Sequence, residues 1–167
     1  MGGMTDPDEV VADLQTLDTA LMRLRRLWTT PRTHDSMRAG LGEDVELSTV
    51  LVVEALVRET ALDACGVADV AQRVDVAPST ASRLVERAVA AGMVERRTSA
   101  SDARRAELHL TDAGWALHER ARHFRTGYLA GVLTDWTPDA IASLAGQLDA
   151  FADAVSASHQ DDLQEGS

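Results

Sequence analysis

From Val10 onward the apolar positions recur in steps of three and four: Val10, Leu14, Leu17, Leu21, Leu24 and Trp28. One face of a helix repeats at that interval, and so narrow a stripe is the seam of a helix that packs against another. Asp6, Pro7 and Glu9 suit its first turn as cap, first helical residue and capping-box partner. Thr29, Thr30 and Pro31 stop the pattern, so a helix is predicted over residues 6–30, preceded by residues 1–5 expected to be disordered. A polar, glycine-containing link runs from Arg32 to Asp44. Leu47 to Leu62 then reads as a buried helix, with Val50, Val53 or Glu54, and Val57 along one face, closed by Cys65-Gly66.

Val67 to Val74 is a short helix with Val67, Val70, Ala71 and Val74 on its inner side. Only Asp75, Val76 and Ala77 separate it from a helix that opens with Pro78. That helix turns Ala81, Leu84, Val85 and Ala88 inward at i, i+3, i+4 and i+7, and Gly92 closes it in the left-handed position after a helix end. Met93–Arg97 and Ala106–Leu110 are strand candidates; in the second, Leu108 and Leu110 alternate with Glu107 and His109. The polar stretch Thr98–Arg105 between them should project as a loop. Thr111 caps a long helix through Leu117, Ala121, Phe124, Tyr128 and Val132. Thr137-Pro138-Asp139 starts the last helix, whose seam is Ile141, Leu144, Leu148, Phe151 and Val155, and residues 158–167 read as a polar tail. The expected fold is mainly α with a small β-hairpin wing (α+β): a winged helix-turn-helix over 45–114, flanked by dimerisation helices at 6–30 and 115–157.

Composition narrows this picture without changing it. A chain of 167 residues with 45 % apolar content can bury a core as one domain. No apolar run approaches the roughly 20 residues a membrane span needs, and nothing at the N-terminus resembles a secretion signal. A single cysteine, Cys65, excludes an internal disulfide and suits a reducing compartment, so a cytoplasmic location is expected. The net charge of −11 argues at first against a nucleic-acid partner. Its distribution reverses that: residues 1–64 carry −6 and 115–167 carry −5, while 65–114 are neutral. Arg96, Arg97, Arg104 and Arg105 fall within ten residues of that middle segment. An anion would meet the middle, and the acidic flanks weaken sequence-blind binding.

Two short helices joined by three residues, the second offering Ser79, Thr80, Ser82, Arg83, Glu86 and Arg87, match the plan of a helix-turn-helix. Such a helix fits the major groove, where arginine forks address guanine and short hydroxyls require close approach. Its N-terminus at Pro78 favours phosphate, and arginines in the loop suit an adjacent minor groove. The run APSTASRLVERAVAAGMVERR (77–97) followed by SDARRAELHLTDAG (101–114) resembles the recognition helix, wing and exit turn of MarR-type transcription regulators. The shared wing pattern is Asp102, Arg104, then an alternating strand leaving through Leu110, Thr111 and Gly114. The resemblance implies a homodimer on a pseudo-palindromic double-stranded operator, its first, fifth and sixth helices interlocking. It also implies that Asp102 orients Arg104 by an ion pair. Pro78, Ser79, Thr80, Ser82, Arg83, Arg87, Arg96, Arg104 and Arg105 are the candidate DNA contacts. Repression relieved by a small-molecule effector is a tendency of that family.

Each sharp reading has a plainer one beside it. Glu86 is expected to steer Arg83 or Arg87 along the helix, and Arg96, Arg97 and Arg105 can equally pair with Glu95 and Glu107. Trp28, Trp115, His118 and Arg122 are candidates for an effector pocket by resemblance; aromatic packing in core and interface is the alternative. Cys65 invites a thiol-based redox reading, against that of a small buried hydrophobe. His118 and His123 are spaced poorly for one helical face, so no metal site and no cofactor is expected. Without a phosphate loop, nucleophile elbow or ligand cluster, an enzyme is not expected. The remaining alternative is a winged-helix module that binds protein in place of an operator.

Overall fold

The structure, a computed structural model, describes residues 7–25, 40–42, 45–57, 65–98 and 106–165. Among these, six helices and one hairpin follow in the order α1 (Pro7–Arg25), α2 (Leu47–Leu56), α3 (Val67–Val74), α4 (Pro78–Ala90), β1 (Val94–Thr98), β2 (Ala106–Leu110), α5 (Asp112–Val132) and α6 (Pro138–Glu165). The mainly helical fold with a small antiparallel hairpin is therefore the one expected. Residues 1–5, the Asp6 cap and the stop at 29–31 lie outside the described residues. The chain divides into two compact units, residues 1–124 and 125–167.

In the first unit, α2 is mostly apolar, and Thr49, Val50, Val52, Val53, Ala55 and Leu56 are buried while Leu51 is exposed. Val52 and Leu56 join a cluster with Val70, Val85, Val94 and Leu108 from α3, α4 and the hairpin. Val50 and Val53 join Leu41, Leu117 and Ala121. The helix ends at Leu56, not at Leu62: Val57 is already extended (φ −70°, ψ 120°). Two causes act together. Val50, Val52, Val53 and Val57 are β-branched and lose rotamer freedom in a helix, and Arg73 Nη1 donates to the Ala55 carbonyl at 2.6 Å, satisfying the open end. Residues 58–64 lie outside the described residues. Gly66 does not close α2 but opens α3, where its N–H donates to Asp69 Oδ2 at 2.7 Å.

Asp75 turns the chain between α3 and α4 in the left-handed region (φ 54°), a conformation aspartate tolerates better than most residues. The Val76 N–H closes the turn on the Ala71 carbonyl at 3.0 Å. Ala81, Val85 and Ala88 of α4 are then fully buried. At its far end Gly92 is left-handed (φ 71°), and the Met93 N–H reaches the Ala88 carbonyl at 3.0 Å. Among the described residues, no atom beyond its own chain neighbours would lie within 4 Å of a β-carbon at Gly92. Gly92→Ala should therefore cost only backbone strain, about 1 kcal/mol in urea unfolding.

The hairpin pairs Val94 with Leu110 through to Thr98 with Ala106, and the Leu108 N–H donates to the Cys65 carbonyl at 2.8 Å. Thr111 is the joint that follows. Its N–H donates to the Met93 carbonyl at 3.1 Å and its hydroxyl to the Gly92 carbonyl at 2.7 Å. The same hydroxyl oxygen accepts the Gly114 N–H at 3.1 Å, capping α5. Gly114 is buried so closely that a β-carbon there would stand 2.1 Å from the Met93 carbonyl oxygen.

In the second unit, α6 opens with Thr137 Oγ1 accepting the Ala140 N–H at 3.2 Å. The helix continues to Glu165, through most of the expected polar tail, since residues 147–165 hold no glycine or proline to interrupt it. Ile141, Leu148, Phe151 and Val155 remain exposed along it, and so, in the first unit, do Val10, Leu14, Leu17 and Leu24 of α1. Among the described residues no helix is long and apolar enough to cross a membrane.

Candidate nucleic-acid interface

One face of α4 is sunk in the core, which commits the other to solvent. Pro78, Ser79, Thr80, Arg83, Glu86 and Arg87 are exposed there, and Ser82 is half-buried. Ala77, the residue before the helix, provides no side-chain cap, so the first turn keeps its capacity to bind an anion. Arg83 forms no ion pair with the described residues. Arg87 approaches Glu46, at the start of α2, with Nη1 3.8 Å from Oε2. The expected role of Glu86 is not seen: among the described residues it pairs with neither Arg83 nor Arg87, and the carboxylate that meets Arg87 comes from another element.

On the hairpin, Arg96 is exposed and stands opposite Leu108 in register. Arg97 is held by an ion pair to Glu95, the plainer of its two readings. Glu107 faces His109 Nε2 at 3.3 Å. Asp102, Arg104 and Arg105 lie outside the described residues, between the paired ends Thr98 and Ala106.

The effector candidates fall on α5, apart from Trp28, which is outside the described residues. His118 Nδ1 lies 2.9 Å from Glu54 Oε1, joining α5 to α2, and Trp115 meets the imidazole edge-on at 6.1 Å. Arg122 Nη2 donates to Glu119 Oε2 at 2.7 Å. That hydrogen bond holds the Glu119 carboxyl below its ordinary range, and Glu119 in turn raises the Arg122 guanidinium. A pocket of about 430 Å³ lies beside these residues, but it is lined by Gly40, Glu119, Arg120, His123 and Phe124. Gly40 permits it, because a β-carbon there would press to 2.7 Å from the Phe124 ring.

Gly40 and Glu46 had no signal in the sequence beyond a polar link and a helix start. Cys65 is 4 % exposed within the core. Among the described residues no group of three or more histidine, cysteine, aspartate or glutamate side chains is disposed to hold a metal.

Helix, left-handed turn, helix and antiparallel hairpin, in this order and with this packing, define a winged helix-turn-helix protein. Residues 43–105 match the family model described as MarR family. Solved structures share the fold of the larger part of the chain. RV1404 from Mycobacterium tuberculosis is 22 % identical with a TM-score of 0.67, covering 86 % of this chain and 94 % of its own. The MarR family transcription regulator SP03579 is 20 % identical with a TM-score of 0.65, covering 87 % and 94 %. The PcaV transcriptional regulator from Streptomyces coelicolor, solved with its natural ligand, is 23 % identical with a TM-score of 0.50, covering 93 % and 97 %. Comparison with curated proteins returns no match.

Proposed function

We propose that this chain is a cytoplasmic, sequence-specific transcription regulator that binds duplex DNA as a homodimer. The observation that carries the reading is the division of α4: Ala81, Val85 and Ala88 fully buried, Ser79, Thr80, Arg83 and Arg87 outward. A short exposed helix with two arginines one turn apart and hydroxyls at its uncapped end has the dimensions and donors that read a major groove. The wing arginines Arg96, Arg104 and Arg105 add backbone or minor-groove contacts, with Asp102 orienting Arg104.

The exposed seams of α1 and α6 favour a second copy of the chain as the partner that covers them. Two-fold symmetry then matches a pseudo-palindrome. The reading extends to repression relieved by a small molecule, which the pocket beside α5 and the ligand carried by PcaV support. Burial of Cys65 disfavours a thiol switch.

Arg83→Ala tests the reading against a protein-binding winged module. Operator affinity should fall by ~1–3 kcal/mol while the circular-dichroism spectrum and melting temperature stay the same. Unchanged DNA affinity would favour the protein-binding module.

A further inference from the structure

An exposed carboxylate on a surface that meets phosphates is a liability, since it repels the DNA backbone wherever that backbone lies. Glu46 is such a group, and its surroundings hold it in position. Its carbonyl accepts the Thr49 N–H at 2.9 Å and the Val50 N–H at 3.3 Å, fixing the residue at the start of α2. Ser48 donates its hydroxyl to Glu46 Oε2 at 2.9 Å. That same oxygen is the one 3.8 Å from Arg87 Nη1. Both side chains are 61 % exposed, so the pair adds little to stability. An exposed carboxylate set 3.8 Å from an arginine of the proposed recognition helix, contributing little to folding, calls for another purpose.

We infer that Glu46 is a positioning residue for Arg87 and a charge filter that raises sequence specificity, which deepens the DNA-binding reading and rests on it. A guanidinium has five N–H donors, so Arg87 can keep one edge toward Glu46 and offer the rest of its fork to a base. On a sequence without the right base, Arg87 has only phosphate to meet. Reaching it means leaving Glu46, whose charge then stands uncompensated near the backbone. The cost falls on sequence-blind complexes more than on the operator complex.

The test uses Glu46→Gln, which removes the charge and retains an oxygen for the Ser48 hydroxyl. The probes are a duplex enriched from a randomised pool by the wild-type protein and a scrambled duplex of equal length. Affinity for the scrambled duplex should rise and its salt dependence steepen, while operator affinity stays level or falls. The ratio between them should shrink by about tenfold. In an Arg87→Ala background the same substitution should leave the ratio unchanged. Operator and scrambled affinities rising together, or a Glu46→Gln effect that persists undiminished without Arg87, would overturn the proposal. Wild-type protein that binds both duplexes equally would instead defeat the DNA-binding reading, and this inference with it.

Discussion

Gly114→Ala is expected to cost about 3 kcal/mol, near the upper end for a single methyl forced into a packed site. The added carbon would stand 2.1 Å from the Met93 carbonyl oxygen, a backbone atom with little room to retreat. That oxygen also accepts the Thr111 N–H, and Thr111 clasps Gly92 and caps α5. Relief of the clash must loosen either the start of the hairpin or the first turn of α5. For a chain of this length the melting temperature should fall by roughly 6–12 °C. Gly92→Ala, with open space around it, is the matched control. A Gly114→Ala protein that melts within 2 °C of the parent would contradict the packing described for this joint.

Leu148→Glu is expected to separate the proposed dimer without unfolding either copy. Leu148 is 46 % exposed in the single chain, so a charge there disturbs no core contact of its own unit, and glutamate keeps helix propensity. In a two-fold assembly the substitution acts twice, setting buried charge against an apolar seam. Sedimentation should give a monomer with parental helicity. Losing simultaneous engagement of two recognition helices should lower operator affinity at least 100-fold, the scale at which linked sites reinforce one another. Retention of the dimer would mean that α6 is covered by something other than a second α6.

Where local periodicity decided the structure, the sequence could be read directly. The spacing of Ala81, Leu84, Val85 and Ala88 located the inner face of α4, and Gly92 marked its end. Leu108 and Leu110 announced the inward side of β2 by simple alternation. α2 resisted such reading, because a helix whose apolar residues are spread around its circumference has no polar stripe and gives no clue to where it stops. Gly66 was ambiguous for a related reason: glycine serves at both ends of helices, and only Asp69 three residues later indicates an opening.

The last helix runs on to Glu165 because polarity alone does not end a helix. At the interface, which side chains of α4 face outward followed from the pattern, but the partner of Arg87 did not. Glu46 lies far away in sequence and is brought near only by packing of α2 against α4. The requirement for glycine at 114 is of the same kind. The Leu-Thr-x-x-Gly exit flagged the position; the approach of the Met93 carbonyl explains it.

Selection of binding sites from a randomised duplex pool tests the central claim most directly. Enrichment of an inverted repeat, its half-site centres about one helical turn (~34 Å) apart and its binding steeply weakened by salt, is the predicted result. A pool that emerges without any enriched sequence, or a lone half-site bound by one copy of the chain, would contradict it.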